Sequence, residues 1–511
     1  MTLTPDASLA SLLRLRAATA PNEPFIIHEN ETASYAETLE MAGRLAALFG
    51  GLGLCKGDLA GVFLRKTPLA IASFIAASSL GAVFFPLDPH QPPAALRALL
   101  TRLRPRLLFA AREYEPLLAA LFPDGPPFAL AYPVSFGETP PPGAAAFHLD
   151  RTADAPLPEP PGGPDDPVYL NLTSGTTGES KCAVTTRANL YYNTMDACEA
   201  LGVRPGDRHL CMMPVFVHPH ELFARPLYLG GAMVLTENIA PKHVAGLITR
   251  HRVNCLMSVA SVYETLVRLS DVSAYDFSSL RVPESGGMHV TAALAAAFAE
   301  RFGKRILPVW GSTEAAGVAL ATPPDEPYRP GSAGRAIKHI DAAIMPPQGE
   351  DDCGAPCENG ALGELVIEGP AVSPGYYGKP AAPGDPLYGG RFRTGDIFRR
   401  DEDGFFFFLG RRFHMMKVGG MKAYPAEIEE ALRAIPEIAE AAVIPVPDAL
   451  RGEVPKACVV LKQDAELCAS DLKKRLENLL HRHKIPRRIE FLDELPRTPG
   501  GKIAWRKLSP D

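Results

Sequence analysis

From Ser34 onward the apolar positions fall into two alternating textures. Over Tyr35–Leu52 they recur at three- and four-residue intervals, which predicts an amphipathic helix, and over Leu59–Leu64 they run on unbroken, as in a strand buried on both faces. The same alternation continues through Leu69–Leu80, Val83–Leu87, Pro93–Leu103 and Arg106–Ala110. It resumes at Ala188–Leu201, His209–Met213, Ala232–Thr236, His243–His251, Cys255–Val259 and Thr291–Arg301. Strands interleaved with ten-residue helices imply doubly wound, mainly parallel sheets.

Later the texture changes. Gly363–Gly369 alternates like a half-buried strand, and Arg393–Arg400 meets Phe405–Leu409 across Asp401-Glu402-Asp403-Gly404, an acidic turn that predicts a hairpin and an antiparallel part. Beyond Gly410 comes a compact α+β tail. It reads as helix Pro425–Ala434, strands Ala441–Val446 and Ala457–Lys462, helix Asp471–His483 capped by Ser470, and strand Arg488–Leu492. The fold class expected is α/β: a large N-terminal domain, residues 1–410, of doubly wound parallel sheets with a small antiparallel barrel-like part, then a small α+β C-terminal domain, residues 411–511.

Composition narrows the picture without changing it. A chain of 511 residues, 46% apolar and 22% charged, suits a soluble globular enzyme of more than one domain. A net charge of −6 gives no basic footprint for nucleic acid. The uncharged run Leu69–Leu87 is long enough to cross a membrane, but its three serines, Gly81 and Pro86 favour a buried helix running into a buried strand. Thr139–Pro167, dominated by proline, glycine and acidic residues, reads as a surface excursion. The nine cysteines form no C-x-x-C pair, which fits reduced thiols in the cytoplasm.

The candidate chemistry centres on Thr173-Ser174-Gly175-Thr176-Thr177-Gly178-Glu179-Ser180-Lys181, just after an apolar strand. Glycines let successive N–H groups converge on an oxyanion, hydroxyls add donors, and the lysine adds charge. A polar connector has the same composition, so the loop alone leaves both readings open.

Four further segments decide between them: Trp310-Gly311-Ser312-Thr313-Glu314, Phe392-Arg393-Thr394-Gly395-Asp396, Gly410-Arg411 followed by Lys417-Val418-Gly419-Gly420, and Pro496–Lys502. In this order and spacing they resemble the acyl-adenylate-forming superfamily of acyl-CoA synthetases, peptide-synthetase adenylation domains and beetle luciferases. The resemblance runs from about Ser34 to Leu508. It implies ATP, Mg²⁺ and coenzyme A, or the phosphopantetheine of a carrier protein, as cofactors. It implies that Thr173–Gly178 and Lys181 cradle the β- and γ-phosphates, that Thr313 meets the α-phosphate, and that Glu314 holds Mg²⁺. Asp396 and Arg411 would take the ribose, with Gly287, Trp310, Gly311 and Ser312 walling the nucleotide. Lys502 would bridge carboxylate and phosphate in the transition state. Lys417, Gly419 and Gly420 would line a second, thioester-forming site, reached when the mobile tail swings about a hinge at Phe413. Taken singly, Glu314 also fits a helix N-terminus, Asp396 a hairpin cap and Lys502 a solvated tail lysine.

The chain departs from the superfamily at Ser180 and Cys182 around Lys181, at Trp310 where tyrosine is commoner, and at Phe413 where the hinge is usually acidic or lysine. The acyl pocket implied is Phe216, Val217, His218, Met288 and Val318. Amino-acid-activating relatives place an aspartate where Val217 stands, and an ammonium without such a partner is costly to bury. The expected substrate is therefore a small carboxylic acid without an α-amino group, converted through acyl-AMP to a thioester by an AMP-forming acid–thiol ligase. The alternatives are a stand-alone enzyme loading a carrier protein and an inactive nucleotide-binding regulator.

Overall fold

The computed structural model describes the chain except residues 1–2, 30, 89–90, 136–137, 150–154, 174–180, 216–217, 288–289, 327–328, 347–354, 413–415, 419–420, 449, 498–502 and 509–511, and the side chains of 173, 417, 422, 426 and 506. Three sheets organise it. The first has seven strands in the spatial order Ala145–His148, Ala129–Val134, Leu107–Ala110, Leu59–Phe63, Val83–Pro86, Pro167–Thr173 and Lys181–Thr186, parallel except for the last pair. Those last two strands lead into and out of the Thr173–Lys181 loop, and Thr173 pairs directly with Lys181.

The second sheet has 14 strands. Its parallel half runs through Leu307–Ser312, Val282–Ser285, Cys255–Ser258, Arg208–Cys211, Ala232–Leu235 and Pro24–His28. At Leu307–Ser312 the sheet turns antiparallel and continues through Gly317–Ala321, Ser332–Ala336, Phe406–Arg411, Arg391–Arg400, Leu362–Glu368 and Asp341–Met345. The expected hairpin is there, with Asp396 paired to Arg411. The excursion at Thr139–Pro167 contributes the edge strand Ala145–His148, which turn-rich flanks obscured.

The long uncharged run forms helix Pro68–Ser79, buried along almost its whole length, and strand Val83–Pro86. It shares one core with residues from both large sheets, among them Phe25 and Ile26, Phe84 and Phe109, and Met233 and Leu235. A helix covered on all sides gains nothing from a polar face, which is why it reads as apolar all round. Among the described residues no helix is long and apolar enough to cross a membrane. Beside it, fully buried Lys66 donates to the carbonyls of Cys211, Met213 and Thr236 at 3.2, 2.5 and 2.8 Å, tying the first sheet to the strand ends of the second.

The tail carries its own five-stranded sheet, built on the long hairpin Ile438–Asp448 and Gly452–Leu461, with strand Arg488–Phe491 parallel to it. Its core gathers Ile428, Leu432, Val443, Val459, Leu472 and Leu476. The helix expected over Asp471–His483 is shorter, Ala469–Leu476, and starts after Cys468 without a side-chain cap. Leu472 and Leu476 are its buried i, i+4 pair, whereas Leu479 is 53% exposed, so no packing supports further helical turns.

Candidate active site

The site grows from the carboxyl ends of the parallel strands of the second sheet, where crevices open in α/β folds. Strand Leu307–Ser312 ends in the three-residue 3₁₀ turn Thr313–Ala315, capped by the Ser312 hydroxyl, which accepts from Ala315 N at 3.2 Å. Two glycines make this turn possible. A Cβ on Gly311 would lie 2.2 Å from the Gly317 carbonyl oxygen, so the two strand backbones approach closer than any side chain allows. Gly317 itself has φ of +138°, and its Cβ would fall 2.1 Å from the His220 ring and 2.5 Å from Asn193 Oδ1. Fully buried Asn193 clamps the turn from behind, donating to the carbonyls of Ala315 and Val318 at 2.9 and 2.7 Å.

The turn presents Glu314. Its Oε1 accepts from the Tyr376 hydroxyl at 2.7 Å, and among the described residues no cationic side chain lies within ion-pair range of it. Tyr376 belongs to a segment laced onto strand Lys181–Thr186: Val184 N donates to Gly375 O at 3.0 Å, Tyr377 N to Cys182 O at 2.8 Å, and the Ser373 hydroxyl to Val184 O at 2.7 Å. The same ring lies 5.0 Å from Lys181 Nζ, in cation–π range. Lys181, Tyr376 and Glu314 therefore form one connected wall.

Near Glu314 stands Asp396, only 3% exposed. Trp310 Nε1 donates to its Oδ2 at 3.0 Å, and Arg411 Nε sits 2.9 Å from Oδ1. The Arg411 contact is an ion pair off the line of a hydrogen bond, so Oδ1 is a buried oxygen without a hydrogen bond among the described residues. Burial raises the Asp396 carboxyl above its ordinary value; Arg411 and the indole N–H oppose that, and nearby Glu314 and Glu364 add to it. The strand under Asp396 is held by Glu364, itself 1% exposed, which accepts from Gly395 N at 2.9 Å and pairs with Arg393 at 3.0 Å.

Lys181, Gly287, Trp310, Gly311, Ser312, Thr313, Glu314, Asp396 and Arg411 thus lie among the described residues, as does the backbone of Thr173, and direct contacts link Trp310 with Asp396 and Asp396 with Arg411. On the acyl side His218 and Val318 are described. His218 Nδ1 lies 3.1 Å from Asn171 Nδ2, and its ring stacks on His220 with centroids 5.7 Å apart. His220 is fully buried, and burial and Arg225 hold it well below the usual imidazole range, so it is a neutral wall residue. Ser174, Gly175, Thr176, Thr177, Gly178, Phe216, Val217, Met288, Phe413, Gly419, Gly420 and Lys502 lie outside the described residues, as does the side chain of Lys417. The backbone of Lys417 pairs with that of Lys422 in the hairpin Met416–Val418 and Met421–Ala423.

Sequence reasoning missed Tyr376, Asn193 and Glu364, and it placed Trp310 only as a wall. The one available signal was Pro374-Gly375-Tyr376-Tyr377-Gly378, a pair of aromatics set in a turn.

The chain matches a family model described as AMP-binding enzyme over residues 13–377 and a second, AMP-binding enzyme C-terminal domain, over residues 427–502. It is 31% identical over 501 residues to the indoleacetate–CoA ligase of Aromatoleum aromaticum, covering 97% of this chain and 96% of that protein. A feruloyl-CoA synthase of Amycolatopsis is 32% identical over 492 residues, with 96% of each chain covered. Among solved structures, the ATP-bound MatB of Rhodopseudomonas palustris superposes with a TM-score of 0.85 at 26% identity, covering 98% of both chains. The chain belongs to the AMP-binding enzyme family, within the acyl-adenylate-forming superfamily that its motifs resemble.

Proposed function

We propose that this chain is an AMP-forming acid–CoA ligase acting on a small carboxylic acid without an α-amino group. The observation that carries the reading is the pairing of two chemically different walls. One joins Lys181 to Glu314 through Tyr376, and the other holds a buried carboxylate, Asp396, one oxygen of which has no hydrogen bond among the described residues. The first suits a metal–polyphosphate and the second a ribose diol. Glu314 fits Mg²⁺ because it is a hard oxygen donor with no competing cation among the described residues, and among them no group of three or more histidine, cysteine or acidic side chains forms a complete metal cage. Such an ion would keep waters and phosphate oxygens as its other ligands and supply charge neutralisation on the triphosphate.

In the first half-reaction a carboxylate oxygen of the acid attacks the α-phosphorus, the bond from that phosphorus to the bridging oxygen breaks, and pyrophosphate leaves. Asp396 holds the ribose, the Thr173–Lys181 loop holds the departing pyrophosphate, Thr313 contacts the α-phosphate, and Lys502 brings positive charge to the reacting oxygens. In the second, the thiol of coenzyme A loses its proton and attacks the acyl carbonyl, and AMP leaves with the electrons of the mixed-anhydride bond. The likeness to relatives named indoleacetate–CoA ligase and feruloyl-CoA synthase supports coenzyme A as acceptor.

Product analysis with ATP, Mg²⁺, coenzyme A and a panel of aryl, branched and medium-chain acids tests this reading. The expected products are AMP, pyrophosphate and an acyl-CoA. ADP and phosphate in their place would overturn it.

A further inference from the structure

We infer that Tyr376 is the positioning residue for the metal-binding carboxylate, fixing Glu314 at a set place relative to Lys181 before ATP and its metal arrive. The inference rests on the reading of Glu314 as the Mg²⁺ ligand.

A glutamate on a short 3₁₀ turn keeps much rotamer freedom, and fixing such a side chain costs conformational entropy. Tyr376 removes that freedom through its 2.7 Å bond to Oε1. It can do so because its own backbone is immobilised twice. Ala183 and Tyr376 form an antiparallel bridge, and Ser373 N donates to the Glu314 carbonyl at 2.7 Å, so segment, turn and strand form one closed set of hydrogen bonds. Gly375 N closes the segment on itself by donating to the Ser373 hydroxyl oxygen at 3.2 Å. With Oε1 so engaged, Oε2 has no hydrogen-bond partner among the described residues and is the oxygen left for a cation. The ring face of the same side chain sits under Lys181. Hydroxyl and ring therefore do separate jobs: one aims the acidic ligand, and the other supports the phosphate lysine.

Outer partners of metal ligands are worth about 10- to 100-fold in metal affinity. Calorimetric titration of the full-length protein with ATP, at a series of Mg²⁺ concentrations and in EDTA, separates the two jobs. Tyr376→Phe removes only the hydroxyl. The Mg²⁺ concentration giving half-maximal tight ATP binding should rise about tenfold, while metal-free ATP affinity stays within about twofold of wild type. Tyr376→Leu, which also removes the ring, should weaken metal-free binding as well. In a Glu314→Gln background Tyr376→Phe should add nothing to the Mg²⁺ requirement. An unchanged Mg²⁺ midpoint in Tyr376→Phe would overturn the inference, and so would equal losses with and without metal, which would mark the residue as merely structural. Wild-type ATP binding indifferent to Mg²⁺ would instead remove the Glu314 assignment itself.

Discussion

Replacing Asp396 by asparagine should move stability and ligand binding in opposite directions. The side chain keeps its shape, so the indole N–H of Trp310, 3.0 Å from Oδ2, retains an acceptor. What disappears is a charge that is 3% exposed and whose carboxyl is raised by burial above its ordinary value of 3.8. A raised carboxyl penalises the folded state above its folded pKa, and the penalty fades as pH falls through that value toward 3.8. Its salt bridge to Arg411 offsets little, because the Arg411 side chain is 56% exposed and well solvated. At pH 8 the variant should therefore be as stable as wild type or more stable, by up to about 1 kcal/mol. Binding should go the other way. With the amide oxygen held by Trp310, an NH2 group stands where Oδ1 did, so ribose hydroxyls that donate to the carboxylate lose their acceptor at a cost of about 2 kcal/mol, which makes about 30-fold in the Kd for ATP. Wild-type affinity should also fall as pH drops through the raised Asp396 pKa, and the variant's should not. Chemical denaturation and calorimetry on the same preparation read both quantities. A variant that loses stability while binding ATP normally would refute both the burial argument and the ribose assignment.

Three other substitutions probe different parts of the site. Lys502→Ala should slow acyl-AMP formation by about 100- to 1,000-fold, yet change thioester formation from supplied acyl-AMP by less than about tenfold; stopped assays of each half-reaction check this, and equal losses would contradict the assignment. Gly317→Ala, with its Cβ forced onto the His220 ring and Asn193, should destabilise the large domain by about 3 kcal/mol, read as a lowered urea midpoint; a midpoint equal to wild type would show that the turn relaxes freely. Glu284→Gln leaves Arg225, fully buried and 2.7 Å from the carboxylate it loses, as an unpaired charge and should cost about 3–5 kcal/mol, whereas replacing both residues by methionine should cost less than the single change.

What could be read from the sequence divides along a physical line. Elements whose stability comes from a repeating apolar face announce themselves locally, and Pro93–Leu103 was bounded to the residue because its buried positions Leu96, Leu99, Leu100 and Leu103 carry the helical period. Elements formed by long-range pairing did not: Ala145–His148 is a strand only because Ala129–Val134 lies beside it. The candidate residues Glu314, Asp396 and Lys181 stood out in the sequence because the proposed chemistry asks for their side-chain types. Their supports were not. Tyr376 meets Glu314 across 62 residues and Trp310 meets Asp396 across 86, and neither span leaves a trace in local spacing. The unexpected tryptophan is the clearest case: as a departure from the commoner tyrosine it carried no explanation, and in the fold its N–H supplies the bond that a buried Asp396 needs.

The central claim is that this site joins a carboxylic acid to the α-phosphorus of ATP before any thiol takes part. ATP–pyrophosphate exchange measured across the acid panel, without coenzyme A, tests it most directly. Exchange that requires both Mg²⁺ and an acid, and needs no thiol, is the predicted result. Absence of exchange with every acid, from protein that still binds ATP, would contradict the account and leave a nucleotide-binding fold without adenylating activity.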